Sequence, residues 1–102
     1  MRTNRRLETQ MKNLMNAAME VLEANHGKYR TISRQEIADI AGVSAGLVTF
    51  YFGDMDSIRA VVLAEAIKRG NPYAAARAIL DGHPEAENIS DKLRKKVQRL
   101  FK

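Results

Sequence analysis

Ser33, Arg34, Ser44, Thr49 and Phe50 fall within one stretch, residues 33–52, which reads Ser-Arg-Gln-Glu-Ile-Ala-Asp-Ile-Ala-Gly-Val-Ser-Ala-Gly-Leu-Val-Thr-Phe-Tyr-Phe. The chemistry these side chains offer is recognition: hydroxyl and guanidinium donors beside an aromatic face, with no nucleophile–base pair set up among them. The spacing specifies a scaffold for them. Ser33 is suited to an N-cap, its hydroxyl accepting an orphan amide of the first helical turn, and Glu36 three residues on completes a capping box. Ile37, Ala38 and Ala41 form one narrow apolar face, and Ala38 is small enough for a second helix to cross closely. Gly42 falls at the helix end, where a left-handed residue is wanted and glycine adopts it cheaply. Val43 packs back under the turn, and Ser44 caps the next helix. In that helix Val48 and Tyr51 or Phe52 face inward, so Ser44, Ala45, Gly46, Thr49 and Phe50 face outward. A helix, a glycine and a helix also suit a hairpin that only builds a core. The two caps and the small Ala38 together favour a helix-turn-helix, the device that sets one helix in the DNA major groove.

The elements that must position this stretch follow from periodicity. Residues 1–6 read as a flexible basic arm. A first helix runs from about Leu7 to Ala24, with Leu7, Met11, Leu14, Ala18, Val21 and Leu22 as one apolar stripe, and Asn25-His26-Gly27 ends it. Residues 28–32 are a connector. Beyond the motif, Gly53-Asp54 turns the chain, and Asp54 or Asp56 caps a fourth helix with Ile58, Val61, Val62 and Ile67 as its apolar positions, stopping at Gly70. Asn71-Pro72 starts a fifth, alanine-rich helix, with asparagine as cap and proline at the first position; it ends before the Asp-Gly-His-Pro of residues 81–84. Ser90 and Asp91 open a sixth, in which Leu93, Val97, Leu100 and Phe101 recur at helical spacing with basic residues on the other faces. No strand pattern occurs. The expected fold class is all-α: a three-helix, homeodomain-like helix-turn-helix head followed by a short C-terminal helical part. Residues 1–9 are the arm and helix start, 10–53 the reading head, and 54–102 the C-terminal helices.

Leu14-Met-Asn-Ala17-Ala18-Met-Glu-Val-Leu22 followed by Gly27, then Gly42-Val43-Ser44, Gly46, Tyr51 and Phe52, and a helix opening at Asp54 carry a resemblance to a known family. Roughly residues 10–67 resemble the DNA-binding unit of the tetracycline-repressor (TetR) type of regulator. The resemblance implies that Ser44 and Tyr51 hold phosphates and that the outcome is repression by occlusion of a promoter. It also implies a much longer helical second part that binds a small-molecule inducer. The chain departs from the family pattern at Ala45, where lysine often follows Gly-Val-Ser, and at Leu47, Val48 and Thr49, where threonine, leucine and tyrosine are usual. Tyr51 stands where histidine usually precedes the last phenylalanine, and Met55 where lysine usually opens the fourth helix.

At 102 residues the chain suits one small domain with one helical core. It contains no cysteine, which excludes disulfides and cysteine-based zinc sites and fits a reducing cytoplasm. His26 sits in a turn and His83 in a Gly-His-Pro loop, neither with a second ligand at metal spacing, so no metal is expected. No glycine-rich phosphate loop and no catalytic serine or carboxylate pair occurs, so neither a cofactor nor an enzyme is expected. No apolar stretch follows the N-terminal arginines, so no secretory signal is readable, and the apolar run Ala60–Ala64 is too short to span a membrane. The net charge of +5 is carried at the ends: residues 1–12 hold +3 and residues 90–102 hold +5, leaving −3 between them. Basic ends suit a polyphosphate partner.

These readings converge on a regulator of double-stranded DNA that acts as a homodimer on a palindromic operator, because one short helix reads too few bases alone. Thr49 is placed for a base edge or a thymine methyl and Phe50 for such methyls, with Ser33 and Arg34 on the DNA backbone. The reading helix holds no lysine or arginine and cannot form the common arginine–guanine pair. Arg2, Arg5 and Arg6 of the arm are therefore expected to supply much of the affinity. The fifth and sixth helices are the candidates for the dimer interface, with Leu93, Val97, Leu100 and Phe101 as its expected residues; the same stripe also suits closing the core of a single chain. Only 32 residues follow Gly70, too few to enclose a drug-sized pocket easily, so no small-molecule ligand is expected, nor a membrane partner. The setting expected is a bacterial, phage or plasmid-encoded protein of the cytoplasm, associated with the nucleoid. The competing reading is a protein-interaction module that keeps the fold but no longer reads DNA; Ala45, Met55 and the aromatic run Phe50-Tyr51-Phe52 motivate it.

Overall fold

Apolar residues that recur every three or four positions can bury one stripe only as helices. The computed structural model describes residues 2–101, with side chains from residue 6 to 101. Its elements are α1 (Arg2–Ala24), a 3₁₀ turn η1 (Tyr29–Thr31), α2 (Arg34–Ala41), α3 (Ala45–Phe52), α4 (Met55–Lys68), α5 (Pro72–Asp81), a second 3₁₀ turn η2 (Pro84–Asn88) and α6 (Asp91–Leu100). The fold is all-α, with no strand among the described residues. No helix among them is long and apolar enough to cross a membrane.

The first helix begins at Arg2 rather than Leu7. Residues 2–6 contain neither glycine nor proline to stop it, so the backbone of the expected arm is instead the first turns of α1. The side chains of Arg2 and Arg5 lie outside the described residues, and Arg6 is exposed. The apolar stripe is buried only from Leu14 onward, while Leu7 and Met11 stay exposed. A helix of this length spans about 34 Å, more than the two smaller dimensions of the molecule, 28 and 20 Å, so its first turns outrun the core. At its other end His26 and Gly27 both take positive φ, 55° and 80°. A Cβ added to Gly27 would lie 2.4 Å from the backbone nitrogen of Ala74. The end of α1 and the start of α5 therefore meet backbone to backbone, which only glycine permits.

The hub is α4, which packs against α1, α3, α5 and both 3₁₀ turns. Asp54 caps it, its carboxylate accepting the Ser57 amide at 2.9 Å. It buries Ile58, Val62, Leu63, Ala66 and Ile67. Val61, expected inward, is 38% exposed, since it lies about 100° round the helix from the buried Val62. Asn71 caps α5 through bonds from Tyr73 and Ala74, with Pro72 at the first position. The buried face of α5 is Ala74, Ala75, Ala76 and Ala78, small side chains that let it sit closely between α4 and α6. Ser90 caps α6 by accepting from Leu93, and Leu93 and Val97 close the core. One apolar cluster runs from Leu14 to Val97 through both halves of the chain. Tyr29, Ile32 and Ile89, in segments too short to show a period, belong to it too.

Candidate nucleic-acid interface

The stretch from Ser33 to Phe52 is built as two short helices, each capped by a serine side chain at its start and by a glycine backbone at its end. The Ser33 hydroxyl oxygen accepts the Glu36 amide at 3.2 Å, and the Glu36 carboxylate accepts the Ser33 amide at 3.0 Å. The Ser33 hydroxyl also lies 3.1 Å from that carboxylate, as its donor. Gly42 ends α2 in the left-handed region at φ 74°, and the amides of Gly42 and Val43 both return to the Ala38 carbonyl. Ser44 then caps α3, accepting from Leu47 at 3.2 Å. Ile37 and Ala38 of α2 and Val48 and Phe52 of α3 are buried. Burying Val48 and Phe52, four residues apart, turns Gly46 and Phe50 to solvent.

The outward surface has a specific make-up. Ser44 and Gly46 are exposed, Ala45, Thr49 and Tyr51 are half-buried, and Phe50 is 75% exposed. Tyr51 packs edge-on against Phe50, the ring centres 5.3 Å apart. A Cβ at Gly46 would meet only the Ser44 hydroxyl, at 3.9 Å. The fold therefore does not need glycine there, and the outer surface of α3 is bare at this position. Arg34, at the start of α2, reaches across to α3 and donates from Nη1 to the Thr49 hydroxyl at 3.0 Å. A helix with no charged residue of its own thus carries a guanidinium on its flank. The same charge helps hold the Asp54 carboxyl below the ordinary range, after the larger contributions of the Ser57 backbone and hydroxyl.

The candidate residues are therefore not equivalent. The Ser33 hydroxyl is committed in both directions to Glu36, and that carboxylate would repel a phosphate. The Ser44 hydroxyl accepts a bond but donates none among the described residues, so its proton is available. The Thr49 hydroxyl is engaged by Arg34 and lies 3.5 Å from the Ala45 carbonyl, which leaves Arg34 as the stronger donor of the pair. Arg6 is on α1, and the side chains of Arg2 and Arg5 are outside the described residues.

The four residues expected at a dimer interface separate into two pairs. Leu93 and Val97 are buried within the chain itself, whereas Leu100 and Phe101 are each 51% exposed. Phe101 lies edge-on to Tyr73 of α5, ring centres 5.6 Å apart. Ile79 and Leu80 are also exposed on α5, Leu80 by 77%. The fifth helix, expected beside the sixth as a candidate for the interface, thus exposes the large pair Ile79-Leu80 at the end of a helix whose core face is filled by alanines. Among the described residues no group of three histidine, aspartate or glutamate side chains could hold a metal ion. Comparison of the chain with protein-family models, with curated proteins and with solved structures returns no significant match.

Proposed function

We propose that this chain is a sequence-reading, DNA-binding regulator of the tetracycline-repressor type, in which α2, the Gly42 turn and α3 act as a helix-turn-helix. The observation that carries the reading is the bond from Arg34 to Thr49. It sets a cation beside an outward helix face that is otherwise uncharged and open at Gly46. In this reading α3 enters the major groove, and the bare surface at Gly46 lets its backbone approach the DNA closely. Phe50 packs on thymine methyls, Thr49 faces a base edge, and Arg34 and the Ser44 hydroxyl grip the phosphate backbone. Tyr51 adds a further phosphate contact. Two copies associate through the outer face of α5 and α6, with Leu80, Leu100 and Phe101 at its centre, and read the halves of a palindrome. Repression follows from covering a promoter.

Affinity for duplex DNA measured across a range of salt tests this. Binding should weaken linearly with salt on logarithmic axes. Arg34→Ala should lower affinity about tenfold and reduce the salt slope by about 1, while Phe50→Ala should leave the slope unchanged and flatten sequence preference. Folded variants that bind as the parent does would remove α2 and α3 from the interface. The exposure of Phe50 also favours the second reading, a protein-interaction module. That reading requires no DNA binding even at low salt.

A further inference from the structure

Arg59, on the side of α4, has donors that the fold leaves without acceptors. Its Nε is the one buried side-chain polar atom lacking a hydrogen-bond partner among the described residues. The nearest carboxylate, that of Asp56, is 3.6 Å from Nη1, too far for a hydrogen bond, and its side chain is 96% exposed. The Arg59 side chain is itself only 35% exposed. A guanidinium carries five N–H donors, and side chains covered to this extent ordinarily find acceptors.

Arg59 lines a cleft of about 450 Å³ with Tyr29, Arg30, Asp56, Ala60 and His83, where η1, α4 and the approach to η2 meet. Arg30 brings a second, mostly exposed guanidinium, tethered at 3.2 Å to Asp81. The buried Tyr29 hydroxyl donates to the same carboxylate at 2.6 Å, and burial followed by this bond raises its pKa above the ordinary value. Both contacts fall on the same oxygen, Oδ2 of Asp81. His83 accepts the Glu85 amide on Nδ1 at 3.0 Å, so in its neutral form the imidazole proton sits on Nε2. The cleft wall therefore combines two guanidiniums, the His83 imidazole and the Asp56 carboxylate, and its volume falls in the range of small-molecule sites.

We propose that this cleft binds the oxyanion group of a small molecule, a carboxylate or a phosphate ester, with Arg59 and Arg30 as the principal ligands and His83 as a third donor. Guanidinium forks match the paired oxygens of both groups, and a bound oxyanion would compete with Asp56, which is 96% exposed and 3.6 Å from Arg59. The proposal departs from the expectation that so short a chain holds no small-molecule site. The cleft is not enclosed by the two last helices; it forms where the connector before α2 meets α4 and the segment before η2. The inference does not depend on DNA reading.

The test is the side-chain Nε–Hε spectrum of the full chain, titrated at constant ionic strength with inorganic phosphate and, separately, with succinate. The Arg59 signal should shift and saturate with at least one of them, while that of Arg99 on α6 should not; the tighter of the two identifies the headgroup. Arg59→Gln should weaken the response of the Arg30 signal about tenfold or more, as loss of one hydrogen bond to a charged group implies. Arg30→Gln, on an exposed turn, gives the reciprocal loss read at Arg59. If Arg59 and Arg99 drift together without saturating, water and counter-ions alone satisfy the guanidinium and there is no site. A shift produced only by a DNA duplex would place Arg59 on the nucleic-acid surface and equally overturn the proposal.

Discussion

At position 46 a single hydrogen stands where other residues carry a side chain, and this decides how near a partner can come to α3. Because a Cβ there meets nothing closer than 3.9 Å, Gly46→Ala should stabilise the fold, by up to about 1 kcal/mol from helix propensity. The same methyl should weaken duplex binding about tenfold or more if the backbone of α3 lies against DNA. Thermal unfolding and binding to a fixed duplex should thus move in opposite directions, and binding that stays constant would detach Gly46 from the interface. Two other glycines separate backbone strain from packing. Gly42 takes φ 74° with open space around it, whereas Gly27 takes φ 80° against the backbone of Tyr73 and Ala74. Gly42→Ala should cost about 1 kcal/mol from the left-handed conformation alone. Gly27→Ala adds overpacking and should cost at least about 2 kcal/mol. Urea unfolding that ranks them the other way would contradict the close approach of α1 and α5.

Among the elements, the capped ones were the legible ones. Ser33 with Glu36, Ser44, Asp54, Asn71 and Ser90 each accept the amide that helix termini leave free, and such caps are local enough to read from residue type and spacing. What was hidden depended on contacts distant in sequence. The N-terminal turns of α1 carry no stop signal. The 3₁₀ turns, three and five residues long, are too short to repeat an apolar period, and the buried Tyr29 finds the acceptor for its hydroxyl in Asp81, fifty-two positions away. The candidate site was legible in its outward residues, but not in the bond between Arg34 and Thr49, fifteen positions apart. The stripe on α6 shows the same limit: its spacing suits an interface and a core equally, and only the packed chain shows that Leu93 and Val97 are covered while Leu100 and Phe101 are not. Leu80→Lys, at a position 77% exposed, should change monomer stability by no more than about 0.5 kcal/mol. Sedimentation should nonetheless show it shifting from dimer to monomer. A variant that sediments as the parent dimer would move the interface elsewhere.

At the scale of the whole molecule, the basic charge and the proposed reading helix lie on different elements. The sixth helix carries Lys92, Arg94, Lys95, Lys96 and Arg99, all exposed, while α3 carries no charged residue. Electrostatic attraction to polyphosphate can therefore come from one part of the molecule and sequence discrimination from another, with Arg34 joining the two functions at α3. Such a division predicts that salt governs how much DNA is bound and α3 governs which DNA is bound. Selection of bound duplexes from a random library, run at two salt concentrations, measures both at once. A dimeric regulator that reads through α3 gives one enriched palindrome at both concentrations, its half-sites separated by about one helical turn or a multiple of it, with less DNA retained at the higher salt. Salt-sensitive retention without any enriched sequence, or no retention at low salt, would contradict it.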